Sequence, residues 1–439
     1  MNRIKSLILV LTATAAAALC AAGPAAAANP TATSYGVEGA GYMTPGPGGN
    51  LWYATTLGRT TGAVGKITPA GIGSIVGQFR QRARGLAVGA DGNLWATSSN
   101  SDPEGRARIS RVTPAGEVTT FTEGLSTGAR PGDIVAGPDN ALWFAEGAGK
   151  IGRITTAGEV TELEIPAGLT APHELAVGAD GRIWFTTGRP QRIGAISTGG
   201  EVSSYPTGLR RPLDQGPIVL GPDGRIWAAA SYIASQEVIA VAPDGTVEQV
   251  AQPFTPGADI VDLTVGDDGN IWAAEGGNGF LARITPAGAV TELTGGREPE
   301  FQSRFDGIGS ITTAADGNLW FSEGDAVQKI PALVEDATQP NATIDSRPPA
   351  LVRTPERSVQ LDYTVSGTPG AVLGCDFDIG RTPDVTMRSC MGGAYSHRAA
   401  SSSEYRYSYT LTVTAIANGV VDSTPAIART RIKRVRDAG

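Results

Sequence analysis

Side chains that exchange protons near neutral pH are scarce in this sequence, which has only two histidines, His173 and His397. Two histidines so far apart cannot form an HExxH zinc motif, and the chain has no GxxxxGKS/T loop to hold a phosphate. His173 is a candidate general base, with the carboxylate of Glu146 beside it and the guanidinium of Arg84 stabilising an anionic intermediate. The alternative is that Arg84 and Glu146 form an ion pair and that His173 is a polar residue without a catalytic role.

Four acidic residues are candidate metal ligands: Asp259, Glu275, Asp306 and Glu323. Carboxylate oxygens are the ligands that hard divalent cations prefer, so a convergence of these side chains predicts a site for magnesium or another divalent cation. The alternative is that they are separate, solvated acids, because their spacing matches no defined metal-binding motif.

The elements that must position these residues repeat along the chain. Each repeat has one tryptophan, and the seven tryptophans are 41 to 48 residues apart: Trp52, Trp95, Trp143, Trp184, Trp227, Trp272 and Trp320. The repeat from Gly132 to Leu163 predicts four strands separated by glycine-containing turns: Asp133–Ala136, Ala141–Ala145, Ile151–Thr155 and Glu159–Leu163. A four-stranded unit with a period in the forties is typical of a β-propeller blade. The sequence therefore predicts an all-β fold that begins with a seven-bladed β-propeller.

Two positions of each repeat are expected at one mouth of the central channel. The first lies eleven residues before the tryptophan: Gly41, Arg84, Gly132, His173, Gly216, Val261 and Gly309. The second lies three residues after the tryptophan: Thr55, Ser98, Glu146, Thr187, Ala230, Glu275 and Glu323. We expect the two positions to be cross-strand neighbours, which would bring candidate residues of different blades to the same mouth.

Aspartates recur in the first turn of the repeats, for example Asp91, Asp180 and Asp223. Calcium binding is one interpretation, but single acids in separate turns lack the convergent oxygens that calcium needs, so we interpret them as turn residues. The last repeat has no fourth strand of its own. We expect residues 31–37 to supply that strand and so close the ring.

The two ends of the chain differ from the repeats. Residues 1–28 have the basic, apolar and small-residue order of a secretory signal peptide, with cleavage near Ala28, which predicts a secreted protein. Residues 29–333 are the predicted propeller, 334–342 a linker, and 343–436 a β-sandwich whose last strand is expected at a sheet edge. Cys375 and Cys390 lie in that last segment, and the oxidising surroundings of an exported chain favour a disulfide between them.

The overall charge limits the partners. The formal net charge is −8, which argues against nucleic acid. No later segment approaches 18 consecutive apolar residues, so no membrane span is predicted. We expect a monomer that meets a small molecule or a cell-envelope component at the channel mouth.

The repeat sequences GPDNALWFAEGAGKIGRITTAGEVTE and ELAVGADGRIWFTTG resemble the virginiamycin B lyase family, whose propellers are related to NHL-type repeats. The resemblance implies elimination at an ester of streptogramin B antibiotics, with magnesium held by carboxylates and a histidine as base. The C-terminal segment, with Cys375, Cys390 and the ending Asp422-Ser423-Thr424-Pro425-Ala426, resembles the immunoglobulin-like modules of exported actinobacterial proteins.

The sequence departs from the lyase family at the base. The resemblance implies histidines on the last two blades, where this sequence has Val261 and Gly309. Without those histidines, we expect a non-catalytic ligand-binding or envelope-associated protein. The alternative hypothesis is an active enzyme with relocated residues: a metal-dependent carbon–oxygen lyase that opens streptogramin B-type cyclic depsipeptides or a related ester, or a hydrolase. A purely structural propeller is a third hypothesis.

Overall fold

The computed structural model describes residues 32–434, apart from 38, 59–60, 99–106, 148, 189–190, 211–212, 214–215, 231–236, 251–253, 256–257, 295–307, 332–339, 355–357, 369–370, 380–387, 390–393, 401–406, 418–419 and 423–424. The predicted signal peptide, most of the predicted linker, Asp306 and Cys390 lie outside these residues. Within them the regular secondary structure is β-strand, and the one helix is a 3-10 turn at Pro47–Gly49. None of the described residues belongs to a helix long and apolar enough to cross a membrane.

Six antiparallel sheets of four strands each form separate propeller blades. Five of them are meanders of consecutive strands: β2 (Met43–Gly46), β3 (Asn50–Leu57), β4 (Thr61–Ile67) and β5 (Gly73–Arg80); β6 (Ala83–Val88), β7 (Leu94–Ser98), β8 (Arg108–Val112) and β9 (Val118–Phe121); β10 (Pro131–Ala136), β11 (Leu142–Glu146), β12 (Lys150–Ile154) and β13 (Val160–Glu164); β14 (Leu175–Val177), β15 (Ile183–Thr186), β16 (Arg192–Ile196) and β17 (Val202–Pro206); β18 (Ile218–Leu220), β19 (Ile226–Ala230), β20 (Glu237–Val241) and β21 (Val247–Gln249). The strands of β10–β13 lie within two residues of their predicted bounds, because alternating apolar residues mark both faces of each strand.

The sixth separate blade joins the two ends of the propeller. It contains β26 (Ile308–Thr313), β27 (Asn318–Glu323) and β28 (Ala326–Pro331), with the N-terminal strand β1 (Thr33–Gly36) paired antiparallel to β28. The ring of Tyr35 stacks on Trp320, with their centroids 5.1 Å apart. The predicted closure by the N-terminal strand is confirmed, and it covers the edge that β28 would otherwise leave unpaired.

The meander around Trp272 is not a separate sheet. Its strands are β22 (Ile260–Val265), β23 (Ile271–Glu275), β24 (Leu281–Ile284) and β25 (Val290–Leu293), and β25 pairs with β36 (Val420–Val421) of the C-terminal region. These strands therefore belong to a ten-stranded sheet that extends beyond the propeller. The predicted number of seven blades is not confirmed: six four-stranded sheets are separate blades, and the outer edge of this meander is paired with the C-terminal region.

The innermost strands lie side by side around a closed ring. Each contacts the innermost strand of the next unit, in the order β2, β6, β10, β14, β18, β22 and β26, and β26 contacts β2. Buried apolar side chains fill the gaps between neighbouring units, as where Trp143 and Ile151 meet Ile183 and Phe185. The inward-facing side chains of the innermost strands therefore line a central channel.

The tryptophans occupy one repeated environment and are at most 2% exposed. In six repeats the indole N–H donates to the aspartate four residues earlier, at 3.0 to 3.3 Å: Trp95, Trp143, Trp184, Trp227, Trp272 and Trp320. Trp52 instead donates to the carbonyl oxygen of Pro47 at 3.3 Å. A Cβ at Gly137 would lie 2.3 Å from the ring of Trp143, which explains the glycine that opens this turn. The aspartates therefore hold the turn and its tryptophan, as the turn interpretation predicted.

The C-terminal region has two sheets. One contains three strands and the other is the continuation of the ten-stranded sheet: β29 (Ala342–Ser346), β31 (Ser358–Gly367) and β34 (Ala394–Ala400) in the first; β30 (Leu351–Thr354), β32 (Val372–Ile379), β33 (Arg388–Ser389), β35 (Tyr407–Ala417), β36 and β37 (Ala426–Arg434) in the second. Leu361 and Tyr363 of the first sheet share one buried cluster with Leu411 and Val413 of the second.

Two predictions for the C-terminal region meet different outcomes. The last strand, β37, is not at an edge, because it pairs with β35 on one side and with β30 on the other. The edge-strand prediction is therefore wrong.

Cys375 is buried and takes part in a disulfide. Since Cys390 lies outside the described residues, the pairing of these two cysteines remains a prediction.

Candidate functional site

A β-bulge lies at the start of the innermost strand of the β10–β13 blade. Pro131 pairs with Glu146 and Ile134 with Phe144, so Gly132 and Asp133 both lie opposite Ala145. The same one-residue shift occurs in β6, β22 and β26. The predicted pairing of the two mouth positions is therefore wrong by one residue, because a bulge inserts an extra residue that changes the register.

A second set of residues lies ten residues before each tryptophan, one residue after the predicted mouth position. It holds a phenol, three carboxyl groups, a hydroxyl and two residues without a functional group: Tyr42, Asp133, Glu174, Asp262, Ser310, Gly85 and Pro217. We call Tyr42, Asp133, Glu174 and Asp262 the channel cluster. The hydroxyl of Tyr42 interacts electrostatically with all three acids, although they come from three other units. The four side chains therefore lie around one space. The sequence alone could have found these acids, because each lies one residue after a predicted mouth position when the repeats are aligned on their tryptophans.

Asp133 and Glu174 are hydrogen-bonded to each other across adjacent blades. The amide of Leu175 donates to Asp133 Oδ2 at 2.9 Å, and the amide of Ile134 also donates to this carboxylate. Burial raises the pKa of Asp133 to about 7, and burial together with the charge of Asp133 raises the pKa of Glu174 well above its usual value. Because the amides stabilise the ionised form of Asp133, the shared proton lies on Glu174.

Asp262 links two units at the channel. Its Oδ2 accepts hydrogen bonds from the Ser310 hydroxyl at 2.8 Å and the Ile311 amide at 2.9 Å, both on β26. Its Oδ1 accepts from the Leu263 amide at 2.8 Å. Burial raises the pKa of Asp262 to about 6, against the opposing effect of these donors. The carboxylate is therefore mostly ionised at pH 7.

Tyr42 and Arg84 complete the site. Tyr42 keeps 37% of its surface exposed, so water reaches the channel cluster. Burial of the hydroxyl and the nearby charges of Glu174 and Asp133 raise the pKa of Tyr42 to about 12, which keeps the phenol a hydrogen-bond donor at neutral pH. Arg84 is exposed and is the cation that acts on this phenol. The site thus combines hydrogen-bond donors, acceptors and one cation.

The predicted catalytic residues are not brought together as a set. Arg84 lies near the channel cluster, and His173 directly precedes Glu174, with its amide donating to the carbonyl of Thr186 at 3.2 Å. Glu146 is fully buried in its blade, and no described donor reaches either of its carboxyl oxygens. The predicted Arg84–Glu146 ion pair is therefore absent, and Glu146 does not hydrogen-bond to His173.

The predicted metal ligands also separate. Glu275 is fully buried and faces Glu292 of its own blade, while Asn278 donates to its Oε2 at 2.6 Å. Asp259 and Glu323 are partly exposed, and Asp306 lies outside the described residues. Among the residues that the structure describes, no three acidic, histidine or cysteine side chains lie close enough to hold a metal ion. The described donors do not fit a magnesium site at the channel mouth, because Glu275 points into the blade.

Comparisons with known proteins agree with this architecture. The model of the virginiamycin B lyase family matches residues 73–361, which is more than half of the chain. No curated protein matches the chain.

Solved structures share the fold at low sequence identity. A virginiamycin B lyase from Staphylococcus aureus is 21% identical, with a TM-score of 0.57, over 69% of this chain and 99% of that one. A catalytically inactive form of that enzyme, solved with quinupristin, has the same identity, TM-score and coverage. A streptogramin B lyase is 22% identical, with a TM-score of 0.57, over 69% of this chain and 97% of that one. Identities this low show a likeness of fold alone.

Proposed function

Because the chain belongs to the virginiamycin B lyase family, we propose that it is a member that binds a small molecule in its channel and does not open streptogramin antibiotics. The Asp133–Glu174 pair carries this proposal. Glu174 donates its one proton to Asp133, so the remaining oxygens of the two carboxyl groups can accept hydrogen bonds from one ligand.

The charge of the site limits the ligand further. Asp262 is mostly ionised at pH 7 and Asp133 is near its midpoint, and Arg84 is the one cation that acts on Tyr42 among the described residues. An anionic ligand would meet repulsion from these carboxylates. The favoured ligand is a neutral or cationic molecule rich in hydroxyl or amino groups, such as a polyol, an amino sugar or an envelope fragment that carries one.

The wider assignment follows from the same architecture. We propose that the meander of β22–β25 acts as the seventh blade, since β22 contacts both β18 and β26. We also propose that the two C-terminal sheets form an immunoglobulin-like sandwich with a Cys375–Cys390 disulfide, and that the protein is a secreted monomer whose ligand is extracellular. The shared apolar cluster of the two sheets supports the sandwich.

Ligand-dependent melting tests the binding proposal. A panel of polyols, amino sugars and linear amines is expected to contain compounds that raise the melting temperature of the wild-type protein, because a ligand that binds only the folded state stabilises it. Asp133→Asn should abolish the rise. Asp244→Asn, the same substitution in an exposed turn, should retain it. A rise that persists unchanged in Asp133→Asn would place the ligand elsewhere, and no rise with any compound would favour a structural propeller.

A carbon–oxygen lyase is the second candidate, and the pKa of about 7 at Asp133 favours it. In such a reaction the Asp133 carboxylate takes a proton from the carbon next to a carbonyl, a double bond forms, and the carbon–oxygen bond one atom further breaks. The leaving oxygen departs as a carboxylate near Arg84. Turnover lost in Asp133→Asn would support this candidate, turnover lost in His173→Ala would move the base to His173, and turnover lost with EDTA would bring back the predicted magnesium site.

A further inference from the structure

The two-residue strand β36 is the only C-terminal strand among the described residues that pairs with the propeller. Glu292 pairs with Val421 and Leu293 with Val420, so β36 continues the meander of β22–β25 as a fifth strand. On its other side β36 pairs with β35, where Ile416 faces Val421. The strand is therefore hydrogen-bonded to both parts of the chain.

The side chain of Val420 enters the core of the propeller. It is 1% exposed and belongs to one apolar cluster with Trp272 and Leu281 of the meander and with Ile311 and Phe321 of the last blade. This cluster fills the seam between the two units.

Residues on both sides of the chain hold β36 in place. Val421 is fully buried against Phe280 of the meander and Ile416 of β35. Asp422 follows it directly; its amide donates to the carbonyl of Ala415 at 2.8 Å, and its Oδ2 accepts from the amide of Ala342 at 2.8 Å. Because Ala342 opens the first strand of the C-terminal region, Asp422 ties that strand to the segment that enters the seam.

The same seam carries a residue of the channel cluster. Asp262 stands on the innermost strand of the meander, and both donors to its Oδ2, Ser310 and Ile311, stand on the innermost strand of the last blade. Ile311 is also a member of the cluster that contains Val420. A change in the packing around Val420 therefore reaches the hydrogen bond between Ile311 and Asp262 through one shared residue.

We infer that β36 is a clasp through which the C-terminal region locks the seam between the meander and the last blade and holds Asp262 in its place in the channel. The N-terminal strand β1 closes the outer edge of the last blade, and β36 covers the outer edge of the neighbouring meander. The C-terminal region then stabilises the propeller through packing and strand pairing. This inference does not depend on the identity of any ligand.

Hydrogen exchange of the full-length protein, read by mass spectrometry, tests the clasp. Val420→Ala removes the side chain in the seam, and Val413→Ala makes the same change in the core that the two C-terminal sheets share. In Val420→Ala, peptides covering β25 and β26 should exchange roughly tenfold faster than in the wild type, since exchange reports the local opening that a packing defect eases. In Val413→Ala, the acceleration should be confined to C-terminal strands. Equal protection of β25 and β26 in the wild type and Val420→Ala would overturn the inference.

A second measurement covers the case in which Val420→Ala does not fold. The wild-type protein in mild denaturant should lose protection in β26 together with β35, because the clasp couples them. Exchange of β35 while β26 stays fully protected would overturn the inference equally.

Discussion

The carboxyl groups of Glu146 and Glu162 face each other inside the blade of β10–β13. Lys150 Nζ lies 2.8 Å from Glu162 Oε2, and the amide of Ser126 lies 2.6 Å from Glu162 Oε1. These donors lower the pKa of Glu162 against the effect of its burial, whereas burial and the charge of Glu162 raise the pKa of Glu146 to about 8. The proton therefore lies on Glu146.

The meander of β22–β25 contains a related pair. Burial and the charge of Glu292 raise the pKa of Glu275 well above its usual value, and the amide of Thr255 donates to Glu292 Oε1 at 2.8 Å. Each pair thus joins a protonated glutamate at the end of the second strand to a glutamate on the fourth. At the scale of the residue, the predicted site residues Glu146 and Glu275 are therefore buried parts of their blades.

Glu146→Gln tests this protonation. The folded pKa of Glu146 lies above its unfolded value, so its contribution to stability is fully present below the unfolded pKa and is lost as pH rises through about 8. An amide keeps the donor and does not ionise. Between pH 7 and pH 9, the wild-type protein should therefore lose about 1 kcal/mol more unfolding free energy in urea than Glu146→Gln. Glu159→Gln, which changes an exposed glutamate, should follow the wild type; if Glu146→Gln does so too, the proton is not on Glu146.

Most strands could be predicted from the sequence, because apolar alternation and glycine turns fix a strand from local information alone. The bulges could not, since one extra residue leaves no pattern of its own and places Pro131 instead of Gly132 opposite Glu146. The pairing of β36 with β25 could not either. Val420 and Val421 are two apolar residues in a long apolar strand region, and only the fold shows that they enter the propeller.

Closure by β1 gives a prediction at the scale of the element. Deletion of residues 29–36 should lower the unfolding free energy by several kcal/mol, because it removes a hydrogen-bonded strand and leaves β28 as an open edge. Tyr35→Ala should reproduce part of this loss by removing the ring stacked on Trp320, whereas Tyr35→Phe keeps the ring and should melt like the wild type. An unchanged melting temperature after the deletion would contradict the closure.

At the scale of the whole molecule, two strands from outside the repeats pair with the propeller. The N-terminal strand completes the last blade, and a C-terminal strand fills the seam beside it. The channel inside the ring contains carboxyl groups that differ in protonation, with Val261 and Gly309 where the family resemblance implies histidines. A ring of this kind retains the family's architecture while its channel offers binding groups and lacks the expected base.

The most direct test is an assay for ring opening of quinupristin by the full-length protein with magnesium present, run beside a virginiamycin B lyase as the positive control. Loss of a general base typically lowers a rate about 10² to 10⁴-fold, and two expected histidines are replaced here. We predict no linear product above the rate measured without protein. Magnesium-dependent opening of the ring at a rate comparable to the control would contradict the account and show that this channel is an active site.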